Sequence, residues 1–153
     1  MLKINIKYAS DDLPRLNKIH KGDWIDLYAS EDIILKQGEF TYIPLGVYIQ
    51  LPKGYEAYIA PRSSTFKNFG IIQPNSPGIV DESYRGPDDM WRMPAYCLEA
   101  KDFVNGCKCT HIHKGDKICQ FRIQSHMPEI DFIEIDEISE SESRGGFGST
   151  GIN

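Results

Sequence analysis

Residues 40–60 read FTYIP-LG-VYIQL-PKG-YEAYIA, and this stretch decides the fold class. Its three apolar runs are short and rich in Ile, Tyr and Val, the residue types that fit a pleated, half-buried surface. The interruptions at Leu45-Gly46 and Pro52-Lys53-Gly54 are turn signals. The stretch therefore predicts three short strands joined by tight turns.

The same two-residue period continues on both sides of this stretch. At the N-terminus, Leu2, Ile4 and Ile6 alternate with polar residues. Further short apolar runs follow, nearly all separated by Gly, Pro, Asn or Asp, at residues 71–72, 78–80, 90–96, 118–123 and 130–135. Many short strands with turn signals predict an all-β protein, an antiparallel sandwich or barrel.

Length and composition fit one globular domain and exclude several classes of partner. The chain has 153 residues, of which 41% are apolar and 25% charged. The 13 glycines and 9 prolines favour turns over long helices. A formal net charge of −5 argues against a general binder of nucleic acid or of anionic membranes.

The sequence also predicts where the protein works. The N-terminus, MLKINIK, lacks the apolar core of a signal peptide. No run approaches the roughly 18 apolar residues that span a bilayer. Without an export signal, the four cysteines, Cys97, Cys107, Cys109 and Cys119, are expected to be reduced thiols. We therefore expect a cytoplasmic protein.

A strand-to-helix junction lies at residues 60–70, which read APRSSTFKNFG. Ser63 or Ser64 can cap a short helix through Thr65 and Lys67 that ends at Asn68 or Gly70. Arg62 followed by two hydroxyls at such a junction has the chemistry of an anion site, to which the helix start adds oriented amides. For this segment alone, a capped turn with a surface arginine is the preferred interpretation.

The segment at residues 78–86, GIVDESYRG, ends a predicted buried strand with a carboxylate. Asp81 at a strand end could orient and deprotonate a water molecule. Tyr84, three residues later, could offer a flat face to a sugar or base. An Asp in an ordinary hairpin turn is the simpler interpretation.

Two further segments each place a polar side chain inside a predicted strand. They read GDWIDLYA at residues 22–29, with Asp26, and KGDKICQF at residues 114–121, with Gln120. A satisfied hydrogen bond is the more frequent explanation for a polar residue at either position.

Four potential zinc ligands alternate along one run, at Cys107, Cys109, His111 and His113. On a strand they share one face, but they would spread over roughly 20 Å at about 3.3 Å per residue. A tetrahedral ion needs all four ligands within about 2.0–2.3 Å. An exposed hairpin near Asn105-Gly106 is therefore the preferred interpretation.

The C-terminal stretch changes character twice. Residues 129–142 are rich in carboxylates with interspersed isoleucines, and residues 143–151 then read SRGGFGSTG. A solvated strand followed by an unstructured tail is one interpretation, and a functional arm is the other. In the second interpretation, a β-barrel domain spans residues 1–142 and a flexible C-terminal arm spans residues 143–153.

The order of these segments is more specific than any one of them. GDWIDLYA, PRSS, GIVDESYRG, GDKICQ and RGGFGSTG follow one another between residues 22 and 151. This series resembles the five motifs of the trimeric, all-β dUTPases (deoxyuridine triphosphate nucleotidohydrolases). It is most similar to the dUTPases of Gram-positive bacteria and their phages.

The resemblance implies a jelly-roll (β-clip) subunit with one short helix, assembled into a homotrimer. Three active sites would lie at subunit interfaces, and the C-terminal arm would complete a neighbour's site. The implied reaction converts dUTP and water to dUMP and pyrophosphate with Mg²⁺ as cofactor.

The resemblance also implies a role for each motif residue. Asp81 would be the catalytic residue that activates water at the α-phosphorus. Tyr84 would stack under the deoxyribose and leave no room for a 2′-hydroxyl. Base, sugar and phosphates would be bound by Arg62, Ser63, Ser64, Asn75, Ile79, Val80, Asp81, Tyr84 and Gln120. The arm would contribute Arg144, Phe147, Gly148, Ser149 and Thr150.

For the metal, the resemblance implies that Asp26 and Gln120 act through waters around Mg²⁺, which usually keeps several waters and binds the substrate phosphates. Two motifs depart from the family pattern. Asp26 follows Asp23-Trp24-Ile25 rather than the usual Ala-Gly-Tyr, and Arg144 precedes Phe147 by three positions rather than five. Trp91 or another aromatic could therefore cover the base instead of Phe147.

Two alternatives belong to other functional classes. A dCTP deaminase shares this fold, but it needs a general acid–base next to the pyrimidine amino group, and its motif is not found. A dUTP-gated regulator would bind an unknown protein partner when the nucleotide orders the arm.

Overall fold

The computed structural model describes residues 1–138, and in this range it contains strands and one short helix. The strands are β1 (Asn5–Tyr8), β2 (Ile25–Tyr28), β3 (Ile33–Lys36), β4 (Phe40–Pro44), β5 (Val47–Gln50), β6 (Tyr55–Pro61), β7 (Ile71–Ile72), β8 (Gly78–Val80), β9 (Arg92–Cys97), β10 (Asp102–Val104), β11 (Cys107–Ile112) and β12 (Lys117–Ser125). The helix, α1, spans Thr65–Phe69. The all-β prediction is confirmed.

The strands of residues 40–60 form where the sequence predicts them, but none pairs with its neighbour in the chain. β4 pairs with β9, β5 with β1, and β6 lies between β12 and β8. All of these pairings are antiparallel. The short connections therefore lead the chain from one sheet to the next instead of closing hairpins, and a single core fills the space between the sheets.

A four-stranded sheet with the order β2-β12-β6-β8 carries the motif residues. Its inner face contributes Leu27, Ile59 and Phe121 to the core, and Trp91 packs edge-on against Phe121 at 5.2 Å between ring centroids. Burial of these large apolar side chains is the main stabilising contribution to such a fold.

Helix α1 confirms the predicted junction, with a different cap. Ser64 occupies the N-cap position, but its side chain makes no cap hydrogen bond. Instead, Thr65 Oγ1 accepts the backbone N–H of Arg62 at 2.9 Å and donates to the Ile118 carbonyl at 2.9 Å. The buried threonine thus ties the helix start to β12. Gly70 ends the helix in the left-handed conformation, with φ of 62°.

One predicted strand is wrong. Residues 126–138 form neither strand nor helix, and the apolar side chains of Ile130, Phe132, Ile133 and Ile135 are exposed. The apolar residues Phe132 and Ile133 are adjacent, which breaks the two-residue period that a half-buried strand requires. The predicted boundary between residues 142 and 143 lies outside the described residues.

The hairpin at Asn105-Gly106 is confirmed. It joins β10 to β11, and both turn residues have positive φ, 50° and 80°, as a tight two-residue hairpin turn requires. Within residues 1–138, no helix has the length and apolar character needed to cross a membrane.

Candidate functional site

The turn that follows β8 places Asp81 at a cavity of about 410 Å³, which we call the Asp81 cavity. It is lined by Tyr42, Ile59, Gln73, Asn75, Gly78, Ile79, Val80, Asp81, Ser83, Tyr84, Trp91, Arg92 and Pro94. The structure thus brings together all the residues of the segment GIVDESYRG for which the sequence predicts a role. The predicted Asn75 lines the same cavity.

The Asp81 carboxylate is held by the residue two positions further on. Its Oδ1 accepts the Ser83 hydroxyl at 2.5 Å and the Ser83 backbone N–H at 2.7 Å. These hydrogen bonds, the hydroxyl's first, lower the pKa of Asp81 below its usual value of 3.8. The side chain is exposed, so at neutral pH it presents an ionised carboxylate to solvent.

Tyr84 is fixed within the same connection between β8 and β9. Its hydroxyl donates to the Met90 carbonyl at 3.1 Å, and the side chain is 40% exposed. Glu82, between Asp81 and Ser83, accepts the Gly54 backbone N–H and so ties this connection to the start of β6. A ring held at one end, with a face open to the cavity, suits stacking against a flat ligand group.

Gln73 and Trp91 line this cavity, and the sequence gives no signal for the role of Gln73. Their side chains are 5% and 1% exposed. Within residues 1–138, Gln73 Oε1 and Trp91 Nε1 have no hydrogen-bond partner. Leaving a buried polar group unpaired costs about 1–3 kcal/mol of stability. We therefore expect each atom to pair with a ligand or a water molecule. The interpretation of Trp91 as a cover over the base is wrong, because its ring is packed inside the core against Phe121.

A second cavity, of about 370 Å³, lies at the other edge of the four-stranded sheet, and we call it the Arg62 cavity. It is lined by Asn17, Ile19, Gly22, Asp23, Trp24, Asp26, Arg62, Ser63 and Gln120. Asp26 and Gln120 face each other in the register of β2 and β12. Gln120 donates through Nε2 to the Pro61 carbonyl at 3.2 Å.

Asp26 orients two cations, Arg62, which lines this cavity, and Lys117, which is not among the lining residues. Its Oδ1 lies 2.8 Å from Arg62 Nε, and its Oδ2 lies 2.9 Å from Lys117 Nζ. The hydrogen bond to Asp26 raises the pKa of Lys117 above 10.5, so the ammonium stays charged. Arg62 also reaches Ser64 Oγ at 3.5 Å, while Ser64 itself does not line the cavity. Two cations around one carboxylate leave positive charge for a phosphate. Lys117 was missed, although it lies in the GDKICQ segment.

The residues present fit a magnesium ion only through water. Both carboxylate oxygens of Asp26 already contact cationic nitrogens, so direct ligation would break an ion pair. No group of three or more His, Cys, Asp or Glu side chains placed to hold a metal occurs in residues 1–138. In the run of four potential zinc ligands, Cys107 is exposed while Cys109 is buried in β11.

A single chain holds the two cavities apart. The register of Ala57 with Val80 places Asp81 beside Glu56, at the start of β6. Arg62 follows the last residue of β6, roughly 20 Å away at about 3.3 Å per strand residue. The two cavities share no lining residue. The predicted arm residues Arg144, Phe147, Gly148, Ser149 and Thr150 lie outside the described residues.

On an all-β fold, a carboxylate at one cavity and an arginine at another have the chemistry of a site for a phosphorylated small molecule. The dUTPase family model matches residues 24–151. The chain belongs to the dUTPase family.

Curated relatives match over nearly the whole chain. The SPbeta prophage-derived deoxyuridine 5′-triphosphate nucleotidohydrolase YosS of Bacillus subtilis is 52% identical over 150 residues, which cover 98% of this chain and 99% of the relative. The deoxyuridine 5′-triphosphate nucleotidohydrolase of Thermobifida fusca is 38% identical, over 98% of this chain and 79% of the relative.

Solved structures share the fold at low sequence identity. A mutant dUTPase of Staphylococcus bacteriophage 80alpha, with dUpNHpp, has a TM-score of 0.75 at 20% identity and covers 99% of this chain and 100% of its own. A mutant dUTPase from phage phi11 of S. aureus, described with a structural Mg(II) ion, has a TM-score of 0.74 at 17% identity and covers 90% and 100%. These likenesses support the jelly-roll fold.

Proposed function

We propose that this protein hydrolyses dUTP to dUMP and pyrophosphate. The observation that carries the proposal is the 52% identity, over 98% of this chain, to a relative named as a deoxyuridine 5′-triphosphate nucleotidohydrolase. The geometry supports it, since one cavity has the shape and lining for a nucleoside and the other has the charge for phosphates.

Asp81 orients and polarises the attacking water in this proposal. An aspartate with a pKa below 3.8 is ionised at neutral pH, so it can accept a hydrogen bond from water without first losing a proton. The same low pKa makes it a weak base. Its contribution is therefore mainly to aim the water at the α-phosphorus and to stabilise the positive charge that develops on it.

The base and sugar occupy the Asp81 cavity. Asn75, Ile79 and Val80 line this cavity, and in this proposal the Asn75 side chain and the backbone of Ile79 and Val80 read the polar edge of the base. Tyr84 stacks against the deoxyribose, and its ring leaves no space for a 2′-hydroxyl. A base or sugar that fails to match these fixed groups is rejected by unpaired polar atoms or by contact.

The phosphates occupy the Arg62 cavity. Arg62 and Ser63 line it directly, and Ser64 supports Arg62. Lys117 adds a second positive charge, and Gln120 offers a polar side chain between the strands. Asp26 is a positioning residue, because it fixes the guanidinium of Arg62 through Nε and leaves the other guanidinium nitrogens for the phosphates.

A complete site needs two copies of the chain. Attack at the α-phosphorus requires Asp81 and the phosphate-binding residues within a few ångströms of one nucleotide, whereas one chain holds Asp81 and Arg62 at opposite ends of β6. A head-to-tail contact that repeats around a closed ring lets every Asp81 cavity meet a neighbour's Arg62 cavity. We infer a homotrimer, as the family resemblance implies.

Mg²⁺ is the proposed cofactor, and when bound it would neutralise the triphosphate charge. Asp26 and Gln120 would accept hydrogen bonds from its water shell. Residues 143–153 would form the arm that closes the site, with Arg144 at the γ-phosphate and Phe147, Gly148, Ser149 and Thr150 around it. The proposed location is the cytoplasm.

A pyrophosphate-release assay with dUTP, dTTP, dCTP and UTP tests the proposal. We expect release from dUTP alone at an appreciable rate, and loss of that rate with EDTA in place of Mg²⁺. Equal use of dUTP and UTP would contradict the role of Tyr84. Ammonia release from dCTP without pyrophosphate would identify a deaminase instead.

A further inference from the structure

Two backbone carbonyls hold the Gln73 side-chain amide in one orientation. Nε2 donates to the Ile59 carbonyl at 3.1 Å and to the Asn75 carbonyl at 3.3 Å. Carbonyl oxygens only accept, so the amide nitrogen must face both of them. The direction of Oε1 is therefore fixed by the protein before any ligand binds.

Gln73 Oε1 is a buried acceptor in the described chain without a donor, and Trp91 Nε1 is a buried donor there without an acceptor. Both side chains are more than nine-tenths buried, and both line the Asp81 cavity. The indole is fixed in turn by its contact with Phe121. Buried polar groups in native proteins are almost always paired, so an acceptor and a donor in one cavity wall point to a ligand that offers both kinds of group.

The polar edge of uracil offers that combination. Its N3–H lies between two carbonyl oxygens, whereas cytosine has an unprotonated N3 and an amino group at C4. A fixed acceptor such as Gln73 Oε1 favours an N–H and disfavours a lone pair at the same place. We propose that Gln73 is a specificity-determining residue, whose Oε1 accepts a hydrogen bond from the bound uracil, directly or through one ordered water. This inference rests on the proposed function.

Gly78 makes room for this arrangement. A Cβ atom at Gly78 would lie 3.0 Å from Gln73 Nε2 and 3.6 Å from Ile59 Cβ. A methyl group there would push on the amide that sets the direction of Oε1. The absence of a side chain at Gly78 in strand β8 therefore leaves space for the Gln73 amide as well as for the ligand.

The test compares binding of the imido analogues of dUTP and dCTP by calorimetry, for the wild type and for Gln73→Met. Methionine has a similar length and no hydrogen-bonding amide. We expect the preference for the dUTP analogue to fall about three- to tenfold, as expected for loss of one neutral hydrogen bond. A purely structural role would weaken both analogues by the same factor and leave the preference unchanged, and that result would overturn the inference.

Thr110→Val is the matched control. The buried Thr110 hydroxyl donates to the Phe69 carbonyl and lies outside the Asp81 cavity. This variant should lose stability and keep the wild-type preference. A control that lost the preference as Gln73→Met does would show that destabilisation alone accounts for the effect, and would overturn the inference.

A crystal structure of the wild-type protein with the dUTP analogue supplies a test that needs no variant. We expect a base atom or an ordered water within about 3.2 Å of Gln73 Oε1. An Oε1 that stays without a partner would overturn the inference. If instead the wild type shows no preference for the dUTP analogue, the proposed function itself is wrong.

Discussion

Hydrogen bonds within its own turn lower the pKa of Asp81. The Ser83 hydroxyl contributes most, followed by the Ser83 backbone N–H and then by the backbone of Tyr84. The residues that hold the proposed water-activating carboxylate are thus set by local sequence. This is why the segment GIVDESYRG could be interpreted from the sequence before the fold was known.

Replacing Asp81 with Asn keeps the shape of the side chain and removes its charge. We expect kcat to fall by about 10²–10⁴, because a neutral amide is a poor acceptor for a proton of the attacking water. Binding of the non-hydrolysable dUTP analogue should change by less than about threefold, since the phosphates are bound by Arg62 and its neighbours. Pyrophosphate release and calorimetry measure the two quantities. Normal turnover with weakened binding would contradict the assigned role.

Replacing Ser83 with Ala removes the larger of the two hydrogen bonds to Asp81. The pKa of Asp81 should rise towards 3.8, because the ionised form loses a donor. A lowered folded-state pKa stabilises the native state above the unfolded value and ceases to do so as the pH falls through the folded value. The variant should therefore lose this contribution to stability. NMR titration of the Asp81 carboxyl carbon measures the shift.

Ser125→Ala is the control for that titration. Ser125 ends β12 and is exposed, and it is not among the residues that contact Asp81. Its removal should leave the Asp81 titration unchanged. An unchanged Asp81 pKa in the Ser83→Ala variant would contradict the assignment of the lowered pKa to the Ser83 hydroxyl.

At the scale of elements, the sequence predicts strands more reliably than their partners. Turn residues after Phe40–Pro44 and Val47–Gln50 mark where these strands end, and both strands form there. Their partners lie far away in the chain, on β9 and β1, and only packing of the whole core selects them. The strand predicted over residues 130–135 does not form, because the apolar side chains there have no partner strand in the described chain.

The candidate site shows the same difference between local patterns, which the sequence predicts, and distant contacts, which it does not. Residues within a short motif, such as Asp81 with Tyr84 or Arg62 with Ser63, could be recognised by their spacing. A hydrogen bond to the Ile59 carbonyl holds Gln73 at its cavity, and an ion pair holds Lys117 beside Asp26; no local pattern shows either contact. Trp91 was offered as a cover over the base because of the spacing of Arg144 and Phe147, and the sequence does not show how deeply its side chain is buried.

The end of α1 depends on a close approach that only glycine permits. Gly70 has φ of +62°, and a Cβ there would lie 1.5 Å from the Glu99 carbonyl oxygen. Gly70→Ala should lower the free energy of unfolding by about 2 kcal/mol or more, from left-handed strain together with displacement of the backbone at Glu99. Urea unfolding measures the loss.

Gly106→Ala separates the cost of left-handed strain from the cost of the contact with Glu99. Gly106 has φ of +80°, but a Cβ there meets nothing within 4 Å, so this variant should lose only the strain, about 1 kcal/mol. Equal losses at both glycines would show that the contact with Glu99 contributes nothing.

At the scale of the whole molecule, the fold places the two halves of the site where one chain cannot use both. The Arg62 cavity lies at the β2 edge of the four-stranded sheet and the Asp81 cavity at the β8 edge. The acidic net charge of −5 does not oppose nucleotide binding, because the positive charge is concentrated where Asp26 orients Arg62 and Lys117. In the proposed function, catalysis therefore depends on assembly.

Mixed oligomers test this claim most directly. Asp81→Asn and Arg62→Ala chains, each nearly inactive alone, are co-expressed with different affinity tags, and particles carrying both tags are purified. In a ring of three with head-to-tail contacts, one site in each mixed particle pairs an intact Asp81 with a neighbour's intact Arg62. The expected rate of pyrophosphate release from dUTP is about one third of the wild-type rate per particle. Mixed particles as inactive as the two parents would show that each site is built from a single chain, and would contradict the account.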